Sequence, residues 1–231
     1  MLFSCLVLLV SSCSSSSDVT GNKEPQNSQY TYLGLGDSYT IGESVDVSER
    51  WSVQLAKRLN DKGYKVTDPK IIAKTGWTTG NLLTAMNTEL EVKKYDLVSV
   101  LIGVNNQYQG RSIEEYEQDL NTIFTKAIAH SAKGKEGVFV VSTPDYGATP
   151  FGAANAENIG KEIDEFNTVL KRVSEDFGLA YYNITPISKL AKEDSSLVAN
   201  DGLHPSGEMY KLWVDEFIDK IALKIDQNSD K

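Results

Sequence analysis

Four short segments carry the residue types of acyl-transfer chemistry: Gly36-Asp37-Ser38-Tyr39-Thr40, Lys74-Thr75-Gly76-Trp77, Gly103-Val104-Asn105-Asn106 and Asp201-Gly202-Leu203-His204-Pro205. Moving an acyl group off an ester needs a hydroxyl nucleophile, a base that can take its proton near neutral pH, and donors aimed at the oxyanion that develops. Ser38 offers the hydroxyl. Gly76 offers a backbone N–H that a substrate oxygen can approach closely, and Asn105 a neutral side-chain amide. With the Ser38 N–H they would form a three-donor oxyanion hole. The chain has two histidines, His130 and His204. His130 ends a lysine-rich helical stretch, where the helix dipole and solvent explain it. His204 follows Asp201 by three residues on a turn that stops at Pro205, so one short loop can set the carboxylate against the imidazole and fix its tautomer.

Each of these residues also has a plainer explanation. Asp-Ser after a strand is ordinary helix-capping chemistry. A single histidine ahead of a helix is often structural, and Gly76 or Asn105 taken singly reads as a turn residue. Gly34, Gly36 and Gly42 formally allow a dinucleotide loop, but the Gly-x-Gly-x-x-Gly spacing is broken. A phosphate cradle fails for want of a Gly-Lys-Ser or Gly-Lys-Thr pair.

The elements around these segments give them a common location. Five apolar runs rich in Val, Ile, Leu and Tyr, at 30–35, 70–73, 97–102, 138–142 and 180–184, predict buried parallel strands. Amphipathic stretches at 48–62, 79–92, 112–132, 156–177 and 206–224 predict the helices between and after them. Ser112-Ile113-Glu114-Glu115 has capping-box spacing. Met209, Leu212, Trp213, Phe217, Ile218 and Ile221 make a core-facing stripe on the last helix. Strands alternating with helices predict an α/β chain, a three-layer α/β/α sandwich on a central parallel five-stranded sheet. In such sheets ligands bind at the carboxyl ends of the strands, where the four segments converge.

Together and in this order, the segments resemble the SGNH/GDSL hydrolase family, whose name takes the Ser, Gly, Asn and His of its four blocks. The resemblance runs from about Tyr30 to Ile221 and is particularly close in Leu-Ile-Gly-Val-Asn-Asn-Gln-Tyr, in Pro144-Asp145-Tyr146-Gly147 and from Asp201 to Ser206. It implies a flavodoxin-like SGNH sandwich and metal-free, cofactor-free ester hydrolysis. Ser38 would attack, His204 would act as base and then acid, Asp201 would orient His204, and Ser38, Gly76 and Asn105 would hold the oxyanion. Tyr39 stands where many members have Leu, touching pocket shape, and Asn106 where many have Asp, touching a supporting hydrogen bond.

Composition narrows the partners. The 231-residue chain, 40% hydrophobic and 24% charged, is ordinary for one globular unit, and its formal net charge of −9 argues against nucleic acid. Cysteine occurs at Cys5 and Cys13 alone, leaving no disulfide or thiolate metal site within the domain. Residues 1–12 read as an export signal with an apolar stretch too short to span a bilayer. Val10-Ser11-Ser12-Cys13 resembles a bacterial lipobox, although the usual positively charged residues before the apolar stretch are missing. The expected organisation is therefore a lipoprotein-type signal at 1–12, a flexible tether at 13–29 anchored through lipidated Cys13, and a hydrolase domain at 30–231, exported to the periplasm or cell surface.

Tyr39, Trp77, Tyr108 and Tyr146 flank the four segments as candidate substrate-binding residues, and aromatics at strand ends serve packing equally well. The expected substrate is a small-molecule ester: a short acyl ester such as an acetylated glycan, or a lysophospholipid. Two alternatives stay open on these residues, an acyltransferase or thioesterase using the same acyl-enzyme, and a non-catalytic glycan- or lipid-binding lipoprotein.

Overall fold

A computed structural model describes residues 29–227. The signal and lipidation assignments at 1–12 and Cys13, and the tether up to residue 28, lie outside the described residues. Strands β1 (Tyr32–Gly36), β2 (Lys70–Ala73), β3 (Leu97–Leu101), β4 (Val138–Val141) and β5 (Ala180–Tyr182) form one sheet. It is parallel throughout, in the order β2-β1-β3-β4-β5. The helices are α1 (Ser38–Ile41), α2 (Trp51–Asp61), α3 (Thr79–Glu89), α4 (Val104–Tyr108), α5 (Ile113–Ala129), α6 (Ala156–Asp176), α7 (Thr185–Ser188) and α8 (Gly207–Gln227).

Every residue of β1, β3 and β4 is buried, because a parallel sheet has both faces covered. On one face Tyr32, Leu97, Leu101, Phe139 and Val141 join Trp51 and Leu55 of α2 and Trp213 and Phe217 of α8. On the other, Leu33, Leu35, Val98, Val100 and Val140 join Leu82 of α3, Leu120 and Phe124 of α5 and Leu170 of α6. The period of two along each strand thus sorts side chains between two cores. The stripe expected on the last helix is buried at Met209, Trp213, Phe217, Ile218 and Ile221, with Leu212 packed at its edge.

Several boundaries differ from the sequence expectation for identifiable reasons. β1 starts at Tyr32 because the Thr31 N–H goes to Asp96 Oδ2 at 2.8 Å instead of into the ladder. β4 and β5 end early because Ser142 Oγ accepts from the N–H groups of Ile184 and Thr185, at 2.9 and 3.1 Å, drawing the chain into α7. Ser112 caps α5 by accepting from Glu115 N–H at 3.1 Å. Helices α1, α4 and α7, of four or five residues, are too short to display a 3.6-residue period and were not expected. No helix of the described residues is long and apolar enough to cross a membrane.

The sheet order places β1 beside both β2 and β3, so the chain reverses its winding direction at β1. The crevice outside the carboxyl ends of β1 and β3 is the switch point at which such sheets hold ligands. Ser38 lies two residues past the end of β1 there, and Asn105 follows β3.

Candidate active site

The turn from β1 into α1 is tight enough to require glycine at its start. A Cβ on Gly36 would lie 2.2 Å from Thr40 Oγ1 and 2.3 Å from the Leu101 carbonyl oxygen. Asp37 then caps α1, its Oδ1 accepting from Tyr39 N–H at 3.1 Å. Ser38 is the first helical residue, so helix geometry gives its N–H no intrahelical acceptor. The capping chemistry that offered a plain explanation for Asp37-Ser38 is present, and the same turn sets the Ser38 side chain at the wall of a cavity of about 240 Å³.

Across that cavity stands His204, also part of its wall. Its Nδ1 lies 2.6 Å from Asp201 Oδ2. The other Asp201 oxygen accepts from the N–H groups of Leu203 and His204, both at 2.9 Å, which folds the short loop around the carboxylate. A second side chain reaches Asp201 Oδ2: Ser44 Oγ donates to it at 2.6 Å. Partial burial would push the Asp201 carboxyl up, but the donors from Ser44, His204 and the two backbone groups outweigh it and hold Asp201 well below the usual carboxylate range. An ionised Asp201 can only accept, so His204 Nδ1 carries the proton toward it; in the neutral ring this leaves Nε2 as the acceptor nitrogen. His130, by contrast, is the capping residue of α5 with its Nδ1 on the Lys126 carbonyl at 2.9 Å.

Gly76 and Asn105 border the same cavity. Gly76 has φ +81° and nothing within 4 Å of where a Cβ would sit, so that side of the residue is open. Gln109 Nε2 steadies it by donating to its carbonyl at 3.2 Å. The Asn105 amide donates to the Trp77 carbonyl at 3.0 Å, which orients the group while leaving its second N–H free of that bond. Asn106 is fully buried behind it. Its Oδ1 accepts from Thr79 N–H at 2.9 Å and its Nδ2 donates to Thr79 Oγ1 at 2.7 Å, tying the Asn105 segment to the start of α3. Both atoms of the amide are used there, a task a carboxylate in this position would fill differently.

The four aromatic candidates separate. Tyr108 and Tyr146 line the cavity, and Phe151, which the sequence did not single out, joins them. Their ring centroids lie 6.1 to 6.3 Å apart pairwise, and Tyr108 and Phe151 remain 59% and 53% exposed at the rim. Phe151 N–H donates to the Gly202 carbonyl at 3.0 Å, which fixes it against the His204 loop. Tyr39 borders the cavity but is 3% exposed. It sits edge-on to the His204 ring at 5.7 Å and against Trp213 at 6.2 Å, so it supports the imidazole from the core side. Trp77 is not among the cavity-lining residues. Its side chain packs against the core under α3 and α5, because the turn after β2 presents Thr75 and Gly76 to the cavity instead. Ser44 and Phe151 left little trace in the sequence: one is a single serine in a loop, the other an aromatic without periodic context, and long-range contacts alone give them a place.

Two carboxyls of the site are shifted in opposite directions. Asp37 is fully buried and its Oδ2 has no protein hydrogen-bond partner. Burial pushes its carboxyl up to about 7, against the lowering pull of the Tyr39 N–H.

Residues 35–212 match the GDSL-like Lipase/Acylhydrolase family. Over 110 residues the chain is 32% identical to esterase TesA of Pseudomonas aeruginosa, a match covering 47% of this chain and 53% of that protein, so the chain spans about half the length of this curated relative. Among solved structures, the lipase/acylhydrolase of Enterococcus faecalis superposes with a TM-score of 0.68 at 20% identity, over 84% of this chain and 95% of that one. The acetylxylan esterase Axe2 of Geobacillus stearothermophilus gives 0.63 at 18% identity, over 83% and 94%. At these identities the structural likenesses establish the shared α/β/α fold.

Proposed function

The chain belongs to the GDSL-like Lipase/Acylhydrolase family, and from that premise we propose that it is a serine-dependent carboxylic ester hydrolase with Ser38 as nucleophile, His204 as base and then acid, and Asp201 as the group that orients His204. The reading is carried by one observation: the imidazole held at 2.6 Å by Asp201 borders the same cavity as Ser38, Gly76 and Asn105. In the first step Ser38 Oγ forms a bond to the ester carbonyl carbon while its proton passes to His204 Nε2. The oxyanion that results is held by the N–H groups of Ser38 and Gly76 and by the Asn105 amide. His204 then gives its proton to the departing alkoxide as the C–O bond breaks. Water, losing a proton to His204, repeats the sequence on the acyl-enzyme and frees Ser38.

The cavity volume supports a small substrate. A 240 Å³ space compares with an apolar cavity of roughly 150 Å³ that accommodates benzene. The volume favours a short acyl group with part of its alcohol over an extended fatty chain. The exposed rings of Tyr108 and Phe151 suit the face of a sugar or an aryl leaving group, so a short acyl ester on a ring, such as an acetylated glycan, is preferred over a lysophospholipid. Hydrolysis of p-nitrophenyl acetate, butyrate and octanoate tests both parts. We expect turnover falling with chain length and a loss of about 10⁴-fold or more in Ser38→Ala. Undiminished turnover in that variant would sink the assignment, and a preference for octanoate would sink the short-acyl specificity.

We further propose that the enzyme acts outside the cytoplasm, tethered through Cys13. Metabolic labelling with a fatty-acid analogue should mark the wild type and not Cys13→Ser; equal labelling of both removes the tether.

A further inference from the structure

Ser44 is the sole non-glycine residue with positive φ, +65°, among the described residues. A left-handed backbone is disfavoured for a residue bearing a Cβ, and it is kept where something else depends on it. Here the conformation aims the Ser44 hydroxyl at Asp201 Oδ2, the oxygen that faces His204 Nδ1. Its neighbour Glu43 accepts a hydrogen bond from Thr75 Oγ1, next to Gly76. Glu43 N–H in turn donates to the Ser38 carbonyl at 3.0 Å. Two consecutive residues therefore touch two chain-distant segments, the one carrying the Gly76 donor and the one carrying Asp201, and also tie back to Ser38 at the start of the short helix that precedes them.

We propose that Glu43 and Ser44 form a positioning brace that fixes the Asp201 carboxylate and the Thr75-Gly76 turn relative to Ser38. The brace rests on the esterase reading above and acts through the residues it holds; neither side chain touches the reacting atoms. Ser44 fills one of the acceptor positions of Asp201 Oδ2 and leaves the other to His204, adding a side-chain hold on this oxygen to the two backbone donors that hold the other. Glu43 does the equivalent for the turn that borders the cavity. Such a brace raises kcat by restricting the geometry in which the proton transfer and the oxyanion contact occur, with no contribution to substrate binding.

The glycine and alanine variants separate the hydroxyl from the backbone. Ser44→Gly adopts the same φ without strain and lacks the hydroxyl, whereas Ser44→Ala keeps the strain and lacks the hydroxyl. On the full chain with p-nitrophenyl acetate, both should lower kcat by about tenfold, the scale of one hydrogen bond to a charged group that water partly replaces, with KM unchanged. Ser44→Thr, which keeps a hydroxyl, should recover part of the loss. Glu43→Ala should lower kcat, and Glu43→Gln, which still accepts from Thr75, should not. Wild-type kcat in Ser44→Gly would overturn the brace by showing that the backbone alone matters. A fall in melting temperature with kcat unchanged in the folded fraction would overturn it as a merely structural contact. Failure of the esterase reading looks different, since the wild type itself would then show no Ser38-dependent turnover.

Discussion

Two aspartates close in sequence to residues that line the cavity, Asp37 beside Ser38 and Asp201 three residues before His204, have opposite electrostatic fates. Asp201 stands on a partly open loop and is surrounded by donors: the Ser44 hydroxyl, His204 Nδ1 and two backbone N–H groups. Asp37 lies under the nucleophile turn, fully buried, with one oxygen on Tyr39 N–H and the other unpartnered. The first is held well below the ordinary range and the second is lifted to about 7. Residue type does not decide which carboxyl is charged. The number of donors set against the loss of water does. In the site as proposed, the charged aspartate faces the imidazole that must become positive, and the one lifted to about 7 serves as a cap.

The sharpest break of this contrast is Asp201→Asn. An amide cannot stabilise an imidazolium and can favour the wrong histidine tautomer, so kcat should fall by about 10⁴-fold. Because the side chain is partly exposed, the melting temperature should move little. A loss below tenfold would mean that Asp201 does not act on His204 at all.

Asp37→Asn probes the other side, and stability is the quantity to measure. A buried carboxyl raised from 3.8 to about 7 binds its proton more tightly when folded, so stability is full below pH 4 and is lost as pH rises from 4 to 7. At pH 8 the wild type carries the whole penalty, up to ~4 kcal/mol. Asparagine keeps the cap without the charge. The variant should therefore melt several degrees above the wild type at pH 8, with the gap closing by pH 4. Melting curves that stay parallel across this range would show that Asp37 is not the buried acid described.

Much of this was legible beforehand because the information is local. The apolar runs marked all five strands, since a parallel strand buried on both faces has to be apolar nearly throughout. Asp201 and His204 could be paired because three residues of a turn bring them together whatever the rest of the chain does. Ser112 could be read as a cap for the same reason. The strand ends at Ser142 and Ala180–Tyr182 were misplaced because a side-chain hydroxyl, not the pattern, stops the ladder there. Trp77 could not be told from Tyr108 by sequence, since both follow a strand and only packing sends one ring to the core and the other to the rim.

The sequence by itself determined the layer architecture, the order of the four segments and the chemistry each residue type can perform, because periodicity and functional groups are properties of short stretches of chain. The tertiary structure decided the rest. It brought Ser44 to Asp201 across 157 residues of chain, added Phe151 to the aromatic wall, turned Tyr39 into a support for His204, and shifted two aspartates in opposite directions. Each of these depends on which distant groups exclude water or supply a donor at one point in space, and no local pattern records that.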